Sequence, residues 1–271
     1  MHLRSTPTVD RATPAAPPLP FLTRFADYAM MTLAVALSAV SVAWLLWTER
    51  PILVPLDLPA GWAIWWNVLV SFVFFAQHSI LIRRPVRARL AAIIPARYDG
   101  TFYAITSGIA LMVVVVLWQP AGEPLFVLHG VPRVIVGAIA LLGVAGVAWS
   151  VLALPGFDMC GLRPVRRHLR GGPPAAADFR AKPFLVRGPY RWVRHPLYSS
   201  IIVLLLADPR MSAGRLAIHA TWTAWICLGA WLEERDLAAE FGESYLRYRQ
   251  RVPFLVPWRK PVEAYRDAAT A

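Results

Sequence analysis

The sequence is short of charge and of cysteine. Only 16% of its 271 residues are Asp, Glu, Lys or Arg, against 57% hydrophobic, whereas a soluble domain carries about 25% charged residues. Cys160 and Cys227 are the only cysteines. They are too few for a disulfide framework and form no Cys-x-x-Cys pair, which excludes redox chemistry and a thiolate metal site. His168 and His219 have no partner at metal spacing, so both are read as structural and no metal is expected. No glycine fingerprint follows a strand pattern and no Walker loop occurs, which excludes Rossmann and P-loop nucleotide sites.

What the chain has in quantity is apolar length, with a mean hydropathy of +0.48. Residues 25–47, 61–82, 101–118 and 134–154 each approach the roughly 20 residues needed to cross a hydrocarbon core about 30 Å thick. A fifth run, 197–207, rises only about 16 Å and stops at Asp208-Pro209-Arg210; a sixth covers 213–232. These two read as a tight helical hairpin. The expected fold is therefore all-α: a polytopic integral membrane protein with four spanning helices, a C-terminal helical hairpin and cytoplasmic segments that carry the chemistry.

The net charge of +12 invites a nucleic-acid reading, but the placement of the basic residues gives a different account. They crowd the N-terminal arm, 83–97 and 163–194, whereas the first and third loops hold only Arg50 and Arg133. That alternation is the positive-inside pattern. It places both termini in the cytoplasm, sets the basic loops against anionic headgroups of a bacterial-type inner membrane, and leaves no charge for nucleic acid. Residues 1–20, rich in Pro, Ala and Thr, read as a disordered arm without a signal peptide.

The spanning helices occupy 21–155, with Gly137, Gly143 and Gly146 allowing close helix contact in the fourth. Residues 156–257 hold a long cytoplasmic loop, the hairpin and an amphipathic helix over 233–251, and 258–271 form a tail. In the amphipathic helix, Tyr245 and Tyr248 are expected as membrane-interface anchors.

One stretch concentrates the chemistry: Arg187-Gly188-Pro189-Tyr190-Arg191-Trp192-Val193-Arg194-His195-Pro196-Leu197-Tyr198. Pro196 suits the first position of a helix, whose free N–H groups and positive dipole end would welcome a carboxylate. Tyr190, Trp192 and Tyr198 offer ring faces to an aromatic base or a sulfonium. Glu233 or Glu234, at the far end of the hairpin, would take an ammonium or ribose hydroxyls.

The pattern Gly188-x-Tyr190-x-x-x-Arg194-His195-Pro196-x-Tyr198, followed by Glu233-Glu234-x-x-Leu237-x-x-x-Phe241-Gly242-x-x-Tyr245-x-x-Tyr248-x-x-x-Val252-Pro253, resembles the C-terminal signature of the isoprenylcysteine carboxyl methyltransferase superfamily. The resemblance implies S-adenosylmethionine as cofactor. It implies that Lys182, Pro183, Phe184, Leu185, Tyr190, His195, Pro196, Leu197, Tyr198 and Glu233 hold it, with Glu234 a further candidate from its position. Ser200 stands where the superfamily usually has Gly. Gly229 stands where the prenylcysteine enzymes have an Arg for the substrate carboxylate.

The segment Phe157-Asp158-Met159-Cys160-Gly161-Leu162-Arg163, with Gln77-His78-Ser79 and Trp118-Gln119-Pro120, is similar to bacterial methanethiol S-methyltransferases. This resemblance implies methyl transfer to a small thiol, methanethiol giving dimethyl sulfide. Two alternatives stay open: methylation of an isoprenylcysteine or other lipid-like acceptor, and a non-catalytic membrane protein that retains the fold. A thiol acceptor must lose its proton, and a free thiol has a pKa of about 8.5. Asp158 and His78 are the candidate bases and Arg194 the candidate electrostatic stabiliser.

Overall fold

The computed structural model describes residues 20–47, 54–154, 157–172 and 184–267. Nearly all of the arm, and Lys182 and Pro183, lie outside the described residues. The elements run α1 (Phe21–Trp47), α2 (Ala60–Leu81), α3 (Arg84–Leu90), α4 (Asp99–Leu117), β1 (Pro124–Val127), α5 (Gly130–Ala153), α6 (Leu162–Leu169), β2 (Phe184–Val186), α7 (Pro196–Leu206), β3 (Arg210–Ser212), α8 (Ala213–Arg251) and β4 (Tyr265–Asp267). Short 3-10 turns, Ala96–Tyr98 and Gly188–Arg191, lead into α4 and towards α7.

Among the described residues, three helices are long and apolar enough to cross a membrane: Ala60–Leu81, Ala96–Leu117 and Gly130–Ala153. α1 lies along α4, and α7, a shorter apolar helix, lies against α5 and α8. The interior between α2, α4, α7 and α8 is a cluster of Val70, Phe75, Leu111, Val114, Leu205, Ile218 and Trp222. Trp222 buries its ring there, and its Nε1 donates to Ser71 Oγ at 3.1 Å, so this indole N–H is paired in the apolar interior.

Of Gly137, Gly143 and Gly146 on α5, two serve helix contact. A Cβ on Gly143 would meet Leu204 Cγ at 2.8 Å and one on Gly146 would meet Ser200 Oγ at 2.4 Å, while one on Gly137 would touch nothing within 4 Å. Ser200 also donates to Pro196 O at 2.8 Å. Its hydroxyl therefore faces α5, where Gly146 makes room for it.

At the end of the bundle holding β1 and β3, which pair antiparallel, Asn67 and Gln119 exchange hydrogen bonds at 2.7 and 2.9 Å. The Gln119 amide also receives Leu56 N and donates to Val54 O, both at 2.9 Å. The Trp118-Gln119-Pro120 motif thus ties the connection ahead of α2 to the end of α4.

The sequence pattern suggests a break after Leu232, but α8 continues from Ala213 to Arg251. No helix breaker separates Leu232 from Glu233, and the kink falls at Gly242 (φ 53°, ψ −131°), a conformation open to glycine. Beyond the kink, Tyr245 and Tyr248 are not interface anchors: they are 1% and 4% exposed, in a second core with Val186 and Val252. The cause is the antiparallel β2–β4 ribbon, which pairs Val186 with Tyr265 and lays Phe184 across that face of α8.

Candidate active site

Backbone pairing builds the Gly188–Tyr198 motif into a rigid shelf. Gly188 adopts φ 56°, and a Cβ there would meet Ala153 Cβ at 2.9 Å, so the turn sits tightly on the end of α5. The Arg187 guanidinium caps that end by donating to Ala153 O and Leu152 O. Tyr190 O accepts from Tyr248 OH at 2.7 Å. Arg194 N and His195 N donate to Pro253 O and Phe254 O at 2.8 and 3.2 Å, and Arg191 and Val262 exchange two more bonds. These bonds explain why Val252-Pro253 belongs to the same signature as Arg194-His195.

The two glutamates at the end of the apolar part of α8 divide sharply. Glu234 points inward, its side chain 9% exposed, and pairs with Arg194 Nε at 2.5 Å. The same guanidinium donates to Arg249 O and Val252 O at 2.8 and 2.7 Å and lies over the Phe254 ring. Arg194, expected as an electrostatic stabiliser, thus spends its donors holding the chain after α8 to the motif.

Glu233 points the other way, with its side chain 44% exposed. Its Oε2 is 3.8 Å from His195 Nδ1, and its carboxylate lies beside the Tyr198 hydroxyl, which burial and that charge hold protonated. His195 stacks on Tyr198 at 5.6 Å, and its Nε2 is 3.3 Å from Glu234. Burial pushes His195 below the usual imidazole range, against the opposing pull of Glu233 and Glu234. The Tyr190 hydroxyl is pushed up to about 12, by burial first and by Glu233 second, so it stays a neutral donor. The shelf therefore presents one accessible carboxylate framed by Tyr190, His195 and Tyr198.

His78 lies across the helix bundle on α2. Its Nδ1 is 3.1 Å from Ser107 Oγ and its Nε2 is 2.9 Å from Tyr103 OH, both on α4. His78, Tyr103 and Ser107 thus form one polar group between α2 and α4. Sequence reasoning missed Tyr103; its only local signal was a polar ring one turn from Ser107 on an otherwise apolar helix.

The segment 157–172 is fastened elsewhere. Asp158 accepts from Leu162 N and Arg163 N at 2.9 and 2.6 Å, which caps the start of α6 and occupies both oxygens of a residue expected as a base. Gly161 (φ 64°) lies directly on Gly100: a Cβ on Gly100 would meet Gly161 Cα at 2.7 Å. His168 Nε2 comes within 3.8 Å of Asp27, the fully buried carboxylate that also holds Arg97 and Tyr98. His219 similarly approaches Asp208 at 3.6 Å, so both histidines have carboxylate neighbours.

Of the remaining expected cofactor contacts, Phe184 packs its ring against Phe241, Tyr245, Tyr248 and Tyr265. Leu185 opposes Arg266 in the ribbon, Pro196 is buried, and Leu197 follows it in the first turn of α7. Among the described residues no group of three or more His, Cys, Asp or Glu is placed to hold a metal ion.

No family model and no solved structure matches the chain. Curated relatives do. It is 32% identical over 201 residues to a methanethiol S-methyltransferase of Mycobacterium tuberculosis, covering 74% of this chain and 80% of that protein. It is 34% identical over 202 residues to methanethiol S-methyltransferase 2 of Bradyrhizobium diazoefficiens, covering 73% and 74%. A Nurim homolog of Drosophila melanogaster is more distant, at 27% over 187 residues, covering 63% and 67%. With relatives at 32% and 34% identity matched over most of both chains, this chain belongs to the methanethiol S-methyltransferase family.

Proposed function

We propose that the chain is a membrane enzyme that methylates a small thiol with S-adenosylmethionine, converting methanethiol to dimethyl sulfide. The observation that carries this reading is the convergence of Tyr190, His195 and Tyr198 on the half-exposed Glu233, in a chain whose relatives bear the name methanethiol S-methyltransferase.

The residues fit the donor chemically. Glu233 is an acceptor for ribose hydroxyls or the ammonium. The first turn of α7 after His195 and Pro196 would offer free N–H groups to the donor's carboxylate. The rings of Tyr190 and Tyr198 attract a sulfonium by about 0.5–2 kcal/mol. Lys182, Pro183, Phe184, Leu185 and Leu197 complete the cofactor segment, and Glu234 serves it indirectly by fixing Arg194 and His195. The bound donor supplies an electrophilic methyl group; the chain supplies alignment and a dry pocket. His78, oriented by Tyr103 and Ser107, takes the acceptor's proton, and Asp158 holds the adjoining loop.

α1 is the fourth span, and α7 with the apolar part of α8 forms the hairpin. Residues 156–257 make up the methyltransferase core. Both termini and the basic loops lie on the cytoplasmic side of a bacterial inner membrane, against anionic headgroups. A second reading, a longer lipid-like acceptor such as an isoprenylcysteine, draws on Gly229, where a Cβ would meet nothing within 4 Å. Headspace detection of dimethyl sulfide from purified chain given methanethiol and S-adenosylmethionine tests the choice. Turnover of a prenylcysteine without turnover of methanethiol would overturn it.

A further inference from the structure

Gln77 is a buried polar group that nothing above employs. Both amide atoms, Oε1 and Nε2, are buried, and neither finds a hydrogen-bond partner among the described residues. Buried side-chain amides are nearly always bonded, so one with neither atom satisfied inside a membrane bundle calls for a ligand.

Its position says where. On α2, Gln77 follows Val70 and Phe74 along one helix face, and the Phe74 ring stacks on Trp222 of α8 at 5.5 Å. Contacts between the two helices advance together, from Ser71–Trp222 to Phe75–Trp225, so α2 and α8 run in the same direction. One more turn brings Gln77 and His78 level with 228–229, where a Cβ on Gly229 would find open space within 4 Å. Gly229 lies one turn before Glu233 on α8, and His78, next to Gln77, is held by Tyr103 and Ser107 of α4.

We propose that Gln77 positions the methyl acceptor, its amide N–H donating to the thiol sulfur in a pocket between α2 and α8 at the level of Gly229. This rests on the small-thiol methyltransferase reading. An uncharged thiol is a weak hydrogen-bond acceptor and a thiolate a strong one, so the amide favours the ionised acceptor without binding a carboxylate. In the reaction the S–H proton passes to His78, and the acceptor sulfur forms the new S–CH3 bond with its freed pair. The methylsulfonium donor's own S–CH3 bond breaks with its electron pair left on the donor, now a neutral thioether. The pocket thus selects a small neutral thiol that arrives protonated through the bilayer.

The test uses the full chain in detergent, wild type and Gln77→Leu, with methanethiol as acceptor. Leucine keeps the bulk and removes the unsatisfied amide, so the melting temperature without ligands should hold or rise. S-adenosylmethionine should bind within about twofold of wild type. kcat/KM for methanethiol should fall about tenfold to a hundredfold, and the alkaline rise of its pH profile should move upward. A Gln77→Leu enzyme with unchanged kcat/KM and pH profile overturns the assignment while leaving the methyltransferase reading intact. So does one whose melting temperature and donor affinity fall together. A wild-type chain that binds the donor but methylates no small thiol overturns both.

Discussion

Arg194 and Glu234 form a buried ion pair, Nε to Oε1 at 2.5 Å, while the neighbouring Glu233 keeps its carboxylate 44% exposed on the other flank of His195. Consecutive residues on one helix project about 100° apart, so a single Glu-Glu step serves both the fold and the site. Removing one partner of a buried pair leaves the other uncompensated, at about 3–5 kcal/mol. Arg194→Ala or Glu234→Ala should therefore lower the melting temperature sharply and reduce the yield of folded protein, before any effect on catalysis can be read.

Glu233→Gln should do the reverse. The half-exposed carboxylate contributes little to the fold, and its melting temperature should stay near that of wild type. Loss of a hydrogen bond to a charged group is worth about 1.5–3 kcal/mol, so S-adenosylmethionine affinity should fall about tenfold or more by equilibrium dialysis.

His195 gives the shelf a pH dependence. Burial holds its folded pKa below the unfolded value of about 6.5. Between those two values the unfolded chain binds the extra proton, so stability is full above about pH 6.5 and is lost as pH falls through that window. Melting temperature measured from pH 7.5 down to 5.5 should decline, and His195→Asn should flatten that part of the curve.

Two glycines should respond oppositely to alanine. Gly161 combines φ 64° with a Cβ that would meet Gly100 C at 2.3 Å. Gly161→Ala should cost about 1–3 kcal/mol or more and expose 157–172 to limited proteolysis. Gly229 lies in open space within α8, and Gly229→Ala should gain about 0.5–1 kcal/mol from helix propensity.

On the proposed proton path, His78→Ala should lower kcat by about 100-fold to 10,000-fold with donor affinity unchanged. Tyr103→Phe should retain more activity, since the imidazole keeps Ser107. Stopped single-turnover measurements of dimethyl sulfide separate these effects from product release.

Much of the protein is decided by local pattern. Apolar runs near bilayer length announced α2, α4 and α5 because hydrophobic burial acts on each helix by itself, and the run 187–198 announced a helix start at Pro196 because that signal is local. What local pattern could not reach were relations between distant segments. Tyr245 and Tyr248 read as interface anchors until the β2–β4 ribbon covered them. The division between Glu233 and Glu234 depends on Arg194, forty residues earlier in the chain. Tyr103 and Gln77 gain meaning only when α2, α4 and α8 are packed together. Helix periodicity and charge placement are properties of neighbours in sequence; which buried polar group meets which is set by the packing of the whole bundle.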